Sequence, residues 1–208
     1  MTCRDPQAPA RPARRTALRL LAGGAALPVL GGCAGRYEAL PSPWRPGSRL
    51  DGLIPATDTY LDITNANTHE HLALRFADDG RYDGRAIRAL DWMFRDWREN
   101  RHPEIDPRLY WALAALSTAA RQDGHSGRIE LLSGFRTRRT NAMLQRQGGG
   151  AASNSYHTRR RASDIRLEGV PMEQVADYAE WLQVGGVGRY HERAFTHIDT
   201  GPLRTWSA

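Results

Sequence analysis

From position 59 to position 199 the spacing of apolar residues switches repeatedly between strand-like alternation and helix-like periodicity. TYLDIT (59–64) and HLALRF (71–76) alternate in part around a polar turn, which predicts a β-hairpin. The Gly-rich segment GGVGRY (185–190) predicts a turn. Three other segments have the composition of strands, and the last of them is predicted as the final strand: 128–133, 162–167 and 194–199.

Capping signals mark the helices that accompany these strands. Asp83 can cap a helix that runs to about Glu99, and Asp106-Pro107 predicts the start of a second helix that ends at Gly124. Two shorter helices are predicted at 137–147 and 171–182. A hairpin, then helices, then strands mixed with helices indicate an α+β fold in which helices flank a small antiparallel sheet.

The first 33 residues have the layout of an export signal. Arg14-Arg15 precede an apolar segment, Leu20–Leu30, that is short for a membrane-spanning helix, and Cys33 ends the sequence LGGC. This order resembles a twin-arginine signal with a lipobox, in which the cysteine is lipidated and becomes the mature N-terminus. A plain signal anchor or a chance arginine pair is the alternative. The predicted organisation is a signal peptide over 1–32, a Pro- and Gly-rich tether over 33–56 and a domain over 57–208.

Removal of this signal changes what the charge and the cysteines imply. Cleavage before Cys33 would remove five Arg and one Asp, so the net charge would fall from +6 to +2. That small excess disfavours a nucleic-acid or polyanion module, and the chain contains no known nucleic-acid motif. The only other cysteine, Cys3, lies in the removed segment. A metal site in the domain must therefore use histidine and carboxylate ligands.

Two of the seven histidines stand out. His157 lies seven residues before Asp164, at the end of a polar loop, and His197 lies in the mostly apolar strand AFTHID. A catalytic zinc needs three protein ligands and one open position, and two histidines with one aspartate supply such a set if the two segments pair. Taken alone, His197 is better explained as a satisfied polar group of the core. Four other histidines are expected in solvent or loops: His69, His71, His102 and His125.

Three consecutive arginines, Arg159–Arg161, lie between His157 and Asp164. They could attract an anionic substrate. The chain has no lysine, so arginine supplies every cation of the surface as well. We therefore expect at least two of the three to belong to a solvated loop.

Three ordered motifs carry a family resemblance: SGFRTRRTNAML (133–144), NSYHTRRRASDIRL (154–167) and GGVGRYHERAFTHIDTGPLRTW (185–206). They resemble the zinc murein peptidases of the D-Ala-D-Ala metallopeptidase clan, and most closely the YcbK- or MepK-like murein endopeptidase branch. DGRYD, RDW and IDPRL upstream also match that branch, so the resemblance covers roughly residues 57–206. It implies a hedgehog/D-Ala-D-Ala-peptidase-like fold.

The resemblance implies a role for several residues. The zinc ligands would be His157, Asp164 and His197. Arg136 and Ser155 would hold peptide or carboxylate groups of the substrate, a task that suits the planar guanidinium fork. Tyr190 could donate a hydrogen bond to the developing oxyanion, although a structural tyrosine is equally compatible.

The resemblance leaves two candidates for the general base, and the sequence departs from the family pattern at one loop position. A carboxylate near the last ligand activates the water in relatives, and here Asp199 follows His197 by two residues, with Glu192 as the alternative. Arg160 stands where the family usually has glycine, so it would be strained if the backbone there has positive φ.

These observations predict a zinc-dependent enzyme that hydrolyses peptide cross-links of bacterial peptidoglycan. Its partners would be the stem peptides and, through the lipid on Cys33, a membrane facing the periplasm, with export by the twin-arginine route. A non-catalytic cell-wall peptide-binding zinc protein is one alternative. A carboxypeptidase or dipeptidase of the same clan is another.

Overall fold

The computed structural model describes residues 48–148 and 151–208. The helices of these residues are α1 (Arg49–Leu53), α2 (Gly84–Met93), α3 (Pro107–Gln122), α4 (Arg138–Arg146) and α5 (Met172–Leu182), with 3-10 turns at Ile54–Ala56 and Tyr156–Arg159. The strands are β1 (Tyr60–Asn65), β2 (His71–Arg75), β3 (Ala77–Asp78), β4 (Arg81–Tyr82), β5 (Ile129–Ser133), β6 (Ala162–Leu167), β7 (Gly186–Tyr190), β8 (Phe195–Asp199) and β9 (Arg204–Ser207). The α+β prediction is confirmed.

Seven strands form one mixed sheet in the order β2-β1-β5-β6-β8-β7-β9, and β3 pairs with β4 separately. The predicted hairpin is the antiparallel pair of β1 and β2. The β1–β5 and β7–β9 pairs are parallel, and the other neighbours are antiparallel. The sheet is therefore larger than the small antiparallel sheet that was predicted, and it is not purely antiparallel.

Much of this difference comes from the segment predicted as a Gly-rich turn. Residues 186–190 form β7, and β9 adds a further strand after the one predicted to be final. The glycines are required by a neighbour across the sheet. A Cβ atom on Gly188 would lie 2.5 Å from ring atoms of Trp206, and one on Gly186 would overlap the guanidinium of Arg204. Glycine in a strand here marks a close approach rather than a turn.

One face of the sheet is covered by α3 and α5. Alternate strand residues point into this core, including Ile63 of β1, Ile165 of β6 and Ile198 of β8, all of them fully buried. The residues between them, such as Asp164 and His197, therefore lie on the opposite face. The helices stabilise the sheet from one side and leave the other side available for a site.

The capping predictions hold at the start of the helices but not at every end. Asp83 caps α2 and Asp106 caps α3, which begins at Pro107. However, α2 ends at Met93 rather than at about Glu99. The chain turns there because buried Asp96 accepts a hydrogen bond from the backbone N–H of Thr137 at 2.8 Å, which ties this turn to the start of α4.

Part of the predicted tether belongs to the folded domain. Leu50 of α1 is fully buried in the core. Asp51 forms an ion pair with the buried Arg108 of α3, and Ser48 Oγ accepts a hydrogen bond from the same guanidinium at 3.1 Å. The packed region therefore reaches at least to Ser48 rather than starting at residue 57.

The predicted signal peptide, Cys33 and the rest of the tether lie outside the described residues. Among the helices of residues 48–148 and 151–208, none has both the length and the apolar composition required to cross a bilayer.

Candidate metal centre

Three side chains meet on the open face of the sheet. Asp164 of β6 lies directly opposite His197 of β8 in the antiparallel register, and the 3-10 turn before β6 carries His157. Asp164 Oδ1 lies 3.1 Å from His157 Nε2 and 2.8 Å from His197 Nδ1, and the two nitrogens are 3.2 Å apart. All three residues are buried. The structure thus brings together the three residues that the sequence singled out.

The other nitrogen of each imidazole has its own acceptor. His157 Nδ1 lies 2.6 Å from the carbonyl oxygen of Gly134, and His197 Nε2 lies 3.0 Å from Asp199 Oδ2. A carbonyl and a carboxylate only accept, so these two nitrogens carry the protons. The facing atoms, His157 Nε2 and His197 Nδ1, can offer their lone pairs to a metal when the rings are neutral; without a metal, His197 Nδ1 is within hydrogen-bond distance of Asp164 Oδ1.

Three electron-pair donors this close together suit a cation. Two imidazole nitrogens and one carboxylate oxygen are typical zinc ligands, and a tetrahedral ion about 2.0–2.1 Å from each would hold them roughly 3.3 Å apart. The separations of 2.8 to 3.2 Å approach that value. The donor set therefore fits a divalent metal of the zinc type and leaves one coordination position for water.

The electrostatics of two of these groups favour their ligand forms. Burial, together with the charge of Arg136, lowers the pKa of His157 to about 4, so its ring is neutral. Burial acts to raise the pKa of Asp164, but His157 and Arg136 outweigh it and hold that pKa well below its usual range. For His197, burial opposes the charged form, yet hydrogen bonds to Asp164 and Asp199 raise its pKa.

A cavity of about 410 Å³ opens over the cluster. Arg136, Ser155 and Tyr190, the residues expected to bind substrate, all line it. The Arg136 guanidinium pairs with Asp164 and donates to Ser133 Oγ at 2.7 Å, so this residue also supports the cluster. Ser155 is buried, and its Oγ accepts the His157 backbone N–H at 3.3 Å, which caps the 3-10 turn.

Tyr190 forms one wall of the cavity. Its ring stacks on Phe195 with centroids 4.4 Å apart, and its hydroxyl oxygen accepts a hydrogen bond from Trp206 Nε1 at 3.3 Å. Because the oxygen is the acceptor in that bond, the hydroxyl proton remains available for a group inside the cavity.

Neither carboxylate considered as the general base borders the cavity. Asp199 is fully buried behind His197, on the ring edge opposite the cluster. Its pKa stays below the usual range because His197 and Arg204 outweigh the opposing effect of burial. Glu192 is exposed in the turn between β7 and β8. Among the described residues, Asp164 is the carboxylate side chain that lines the cavity. The surroundings of Asp199 do not fit proton transfer from a water in the cavity.

The three arginines of the intervening loop do not enter the cavity. Arg159 and Arg160 are exposed, as expected for at least two of the three. Arg161 is half-buried and donates to Thr200 Oγ1 at 2.9 Å. Arg160 has φ 65°, ψ 32°, in the left-handed region. The strain expected for a side chain in place of glycine is therefore present at this position.

Sequence reasoning missed three contributors to the site. The Gly134 carbonyl orients His157, Arg204 pairs with Asp199, and the ring of Trp206 lies 5.1 Å from that of His197. The Arg and Trp of PLRTW were part of the quoted motif, but nothing in their spacing assigned them a role. A backbone carbonyl leaves no trace in composition at all.

The α+β domain thus carries a buried His-Asp-His cluster that could hold a metal ion beneath an open cavity, an arrangement compatible with a hydrolase. Residues 55–206 match the family described as peptidoglycan L,D-endopeptidase MepK. The chain is 39% identical to the probable peptidoglycan L,D-endopeptidase MepK of Haemophilus influenzae over 161 residues, which are 77% of this chain and 86% of the relative. It is 34% identical to the peptidoglycan L,D-endopeptidase MepK of Escherichia coli K12 over 178 residues, 86% and 93% of the two chains.

The chain belongs to this family and is a peptidase. The resemblance to MepK-like murein endopeptidases is thereby confirmed. No solved structure matches the chain at the significance applied to these relatives.

Proposed function

We propose that this chain hydrolyses peptide cross-links of bacterial peptidoglycan with a zinc ion bound by His157, Asp164 and His197. The observation that carries the proposal is the convergence of three lone-pair donors, each backed by its own partner, under an open cavity. The names of the relatives support the L,D class of bond as the one cleaved.

When bound, zinc would polarise the scissile carbonyl and lower the pKa of a water molecule to about 7. The protein's own residues prepare this chemistry. The Gly134 carbonyl keeps the His157 proton on Nδ1, and the Arg136 guanidinium holds the second oxygen of Asp164. These contacts fix the direction of the lone pairs before the metal arrives, so little reorganisation is needed on binding.

The cavity walls suit an extended peptide that carries carboxylates. Arg136 provides a cation in the lining, and Ser155 lines the same cavity. Tyr190 can donate its free hydroxyl proton to the oxygen on which charge develops during attack at the carbonyl. We assign substrate positioning to Arg136 and Ser155 and oxyanion stabilisation to Tyr190.

We further propose that the protein is exported by the twin-arginine route and anchored by a lipid on Cys33. The order of Arg14-Arg15, an apolar segment and LGGC in the sequence supports this. Anchoring would keep the enzyme close to an immobile substrate. Replacement Cys33→Ser should move the protein from the membrane fraction to the soluble periplasmic fraction. An unchanged distribution would contradict lipid anchoring.

The activity is tested by incubating purified residues 34–208 with intact peptidoglycan, with and without a chelator, and analysing the fragments by mass spectrometry. We expect cross-linked dimers to disappear, chelation to stop this, and added zinc to restore it. The fragments also identify the bond. A folded, zinc-loaded protein that releases nothing would contradict the enzymatic proposal and favour a cell-wall peptide-binding protein.

A further inference from the structure

We propose that Asp199 is a positioning residue that fixes the tautomer and orientation of His197, and that it is not the proton acceptor for the attacking water. This inference rests on the proposed function, since it assigns His197 Nδ1 to the metal. It replaces the role that the spacing of the two residues had indicated.

The geometry of the His197 ring carries the first step. Nδ1 faces Asp164 at 2.8 Å and His157 at 3.2 Å, whereas Nε2 faces Asp199 Oδ2 at 3.0 Å. The two nitrogens lie on different edges of the imidazole. Asp199 is thus separated from the cluster by the His197 ring. This ring would also lie between a water bound at the cluster and the Asp199 carboxylate.

The hydrogen bonding of Asp199 carries the second step. Oδ1 accepts from the backbone N–H groups of Gly186 at 3.1 Å and Gly201 at 2.7 Å, and from Arg204 Nη1 at 3.1 Å. Oδ2 accepts from Arg204 Nη2 at 2.6 Å and from His197. Five donors face a group with about four lone-pair sites, so no site is left to accept a proton from water. The side chain is also 0% exposed.

The backbone around Asp199 is shaped to hold it. A Cβ atom on Gly186 would lie 2.6 Å from Oδ2, and one on Gly201 would lie 2.7 Å from Oδ1. Only glycine at these positions lets both amides approach the carboxylate. These glycines lie in the GGVG and DTG segments of the sequence. The close approach to the Asp199 carboxylate explains why both positions are glycine.

Aromatic rings pack against Arg204, one of the groups that surround Asp199. The Arg204 guanidinium carbon lies 4.9 Å from the ring centre of Tyr156 and 5.0 Å from that of Trp206. Trp206 in turn contacts the His197 ring. Arg204, Asp199 and His197 therefore form a chain of contacts with fixed orientation. In this chain the Asp199 carboxylate holds the proton on His197 Nε2 and leaves His197 Nδ1 unprotonated toward the metal.

Zinc affinity and turnover of Asp199→Ala and Asp199→Asn separate the two roles. Positioning predicts a zinc Kd raised about 10–100-fold for Asp199→Ala and less for Asp199→Asn, whose amide oxygen can still accept from His197. At saturating zinc, Asp199→Asn should keep kcat within about tenfold of wild type. A general base predicts an unchanged Kd and a kcat reduced about 10²–10⁴-fold in both variants, and that result would overturn the proposal.

Asp177→Asn is the matched control, because Asp177 is an exposed carboxylate on α5, which covers the opposite face of the sheet, and it pairs with Arg189. Its zinc affinity and turnover should match those of wild type. Wild-type protein that fails to bind zinc would contradict the proposed function rather than this inference, since the ring orientation can be measured without metal.

Nitrogen-15 NMR of the histidines in wild-type protein tests the inference even if the Asp199 variants do not fold. We expect a proton on His197 Nε2 in both the metal-free and the zinc-loaded protein, with the zinc-induced shift on Nδ1. A zinc-induced shift on Nε2, or loss of the proton from it, would overturn the assignment.

Discussion

The two histidines of the cluster are held in opposite ways. His157 lies in a capped 3-10 turn, and the main-chain carbonyl of Gly134 accepts its second ring proton. His197 lies in a central strand, and a side chain, Asp199, accepts its proton. A backbone acceptor cannot be removed by substitution, whereas a side-chain acceptor can. The ring contact that orients His197 can therefore be removed by substitution without removing a ligand, whereas the one that orients His157 cannot.

Removal of a ligand should have the largest effect. His157→Ala should abolish zinc binding at the cluster and reduce cleavage of peptidoglycan to the background, because two donors alone do not hold a catalytic zinc. Zinc titration and fragment analysis measure both. His125→Ala is the matched control, since its side chain lies outside the cavity. Retained zinc binding in His157→Ala would place the metal elsewhere.

Tyr190→Phe should act on turnover alone. Loss of a donor to the developing oxyanion lowers kcat by about 10²–10³-fold. The zinc Kd should not change, because the Tyr190 ring stacks on Phe195 and its hydroxyl bonds to Trp206 rather than to a ligand. Steady-state rates at saturating zinc, together with a zinc titration, check this. A kcat equal to wild type would leave Tyr190 with the structural role of stacking on Phe195.

Arg204→Gln should loosen the His197 half more than the His157 half. It removes two of the five donors to Asp199, so we expect a zinc Kd raised about tenfold, at the lower end of the effect of outer contacts on a metal site. The His157 resonances should change less than those of His197, since Arg204 reaches that turn only through the ring of Tyr156 and not through a bond to His157. A change in resonances confined to His157 would contradict the expected effect of Arg204 on His197.

Arg160→Gly should have the smallest effect, and in the favourable direction. Arg160 ends the turn that carries His157 with φ 65°, where a non-glycine residue costs about 1–2 kcal/mol. Glycine also gains freedom in the unfolded chain, so we expect a net stabilisation of about 0.5–1 kcal/mol. Thermal unfolding measures this, with cleavage unchanged because Arg160 lies outside the cavity. A lower Tm would show that contacts of the Arg160 side chain offset the strain of its backbone.

Much of the fold could be predicted because its signals are local. The hairpin was marked by alternation, and the starts of α2 and α3 by Asp83 and Asp106-Pro107. The strand at 186–190 could not be recognised, because its glycines are explained by side chains at 204 and 206. The early end of α2 depends on Asp96 meeting Thr137, a contact that no local pattern encodes.

In the candidate site too, local features could be predicted from the sequence and contacts between distant residues could not. Spacing and resemblance singled out His157, Asp164 and His197, and the structure brings them together. The alternation of a strand correctly placed Asp199 on the same face as His197. It could not indicate that two glycine amides and a guanidinium surround the carboxylate, and that environment decides which chemistry the group can perform.

We propose that this cluster is the metal centre of a peptidoglycan-cleaving enzyme. The most direct measurement is to titrate zinc into metal-free protein and to follow bound zinc and cleavage of cross-linked peptidoglycan in the same samples. We expect cleavage to rise in proportion to bound zinc and to saturate at about one zinc per chain. Full cleavage by the metal-free protein, or none by the saturated protein, would contradict it.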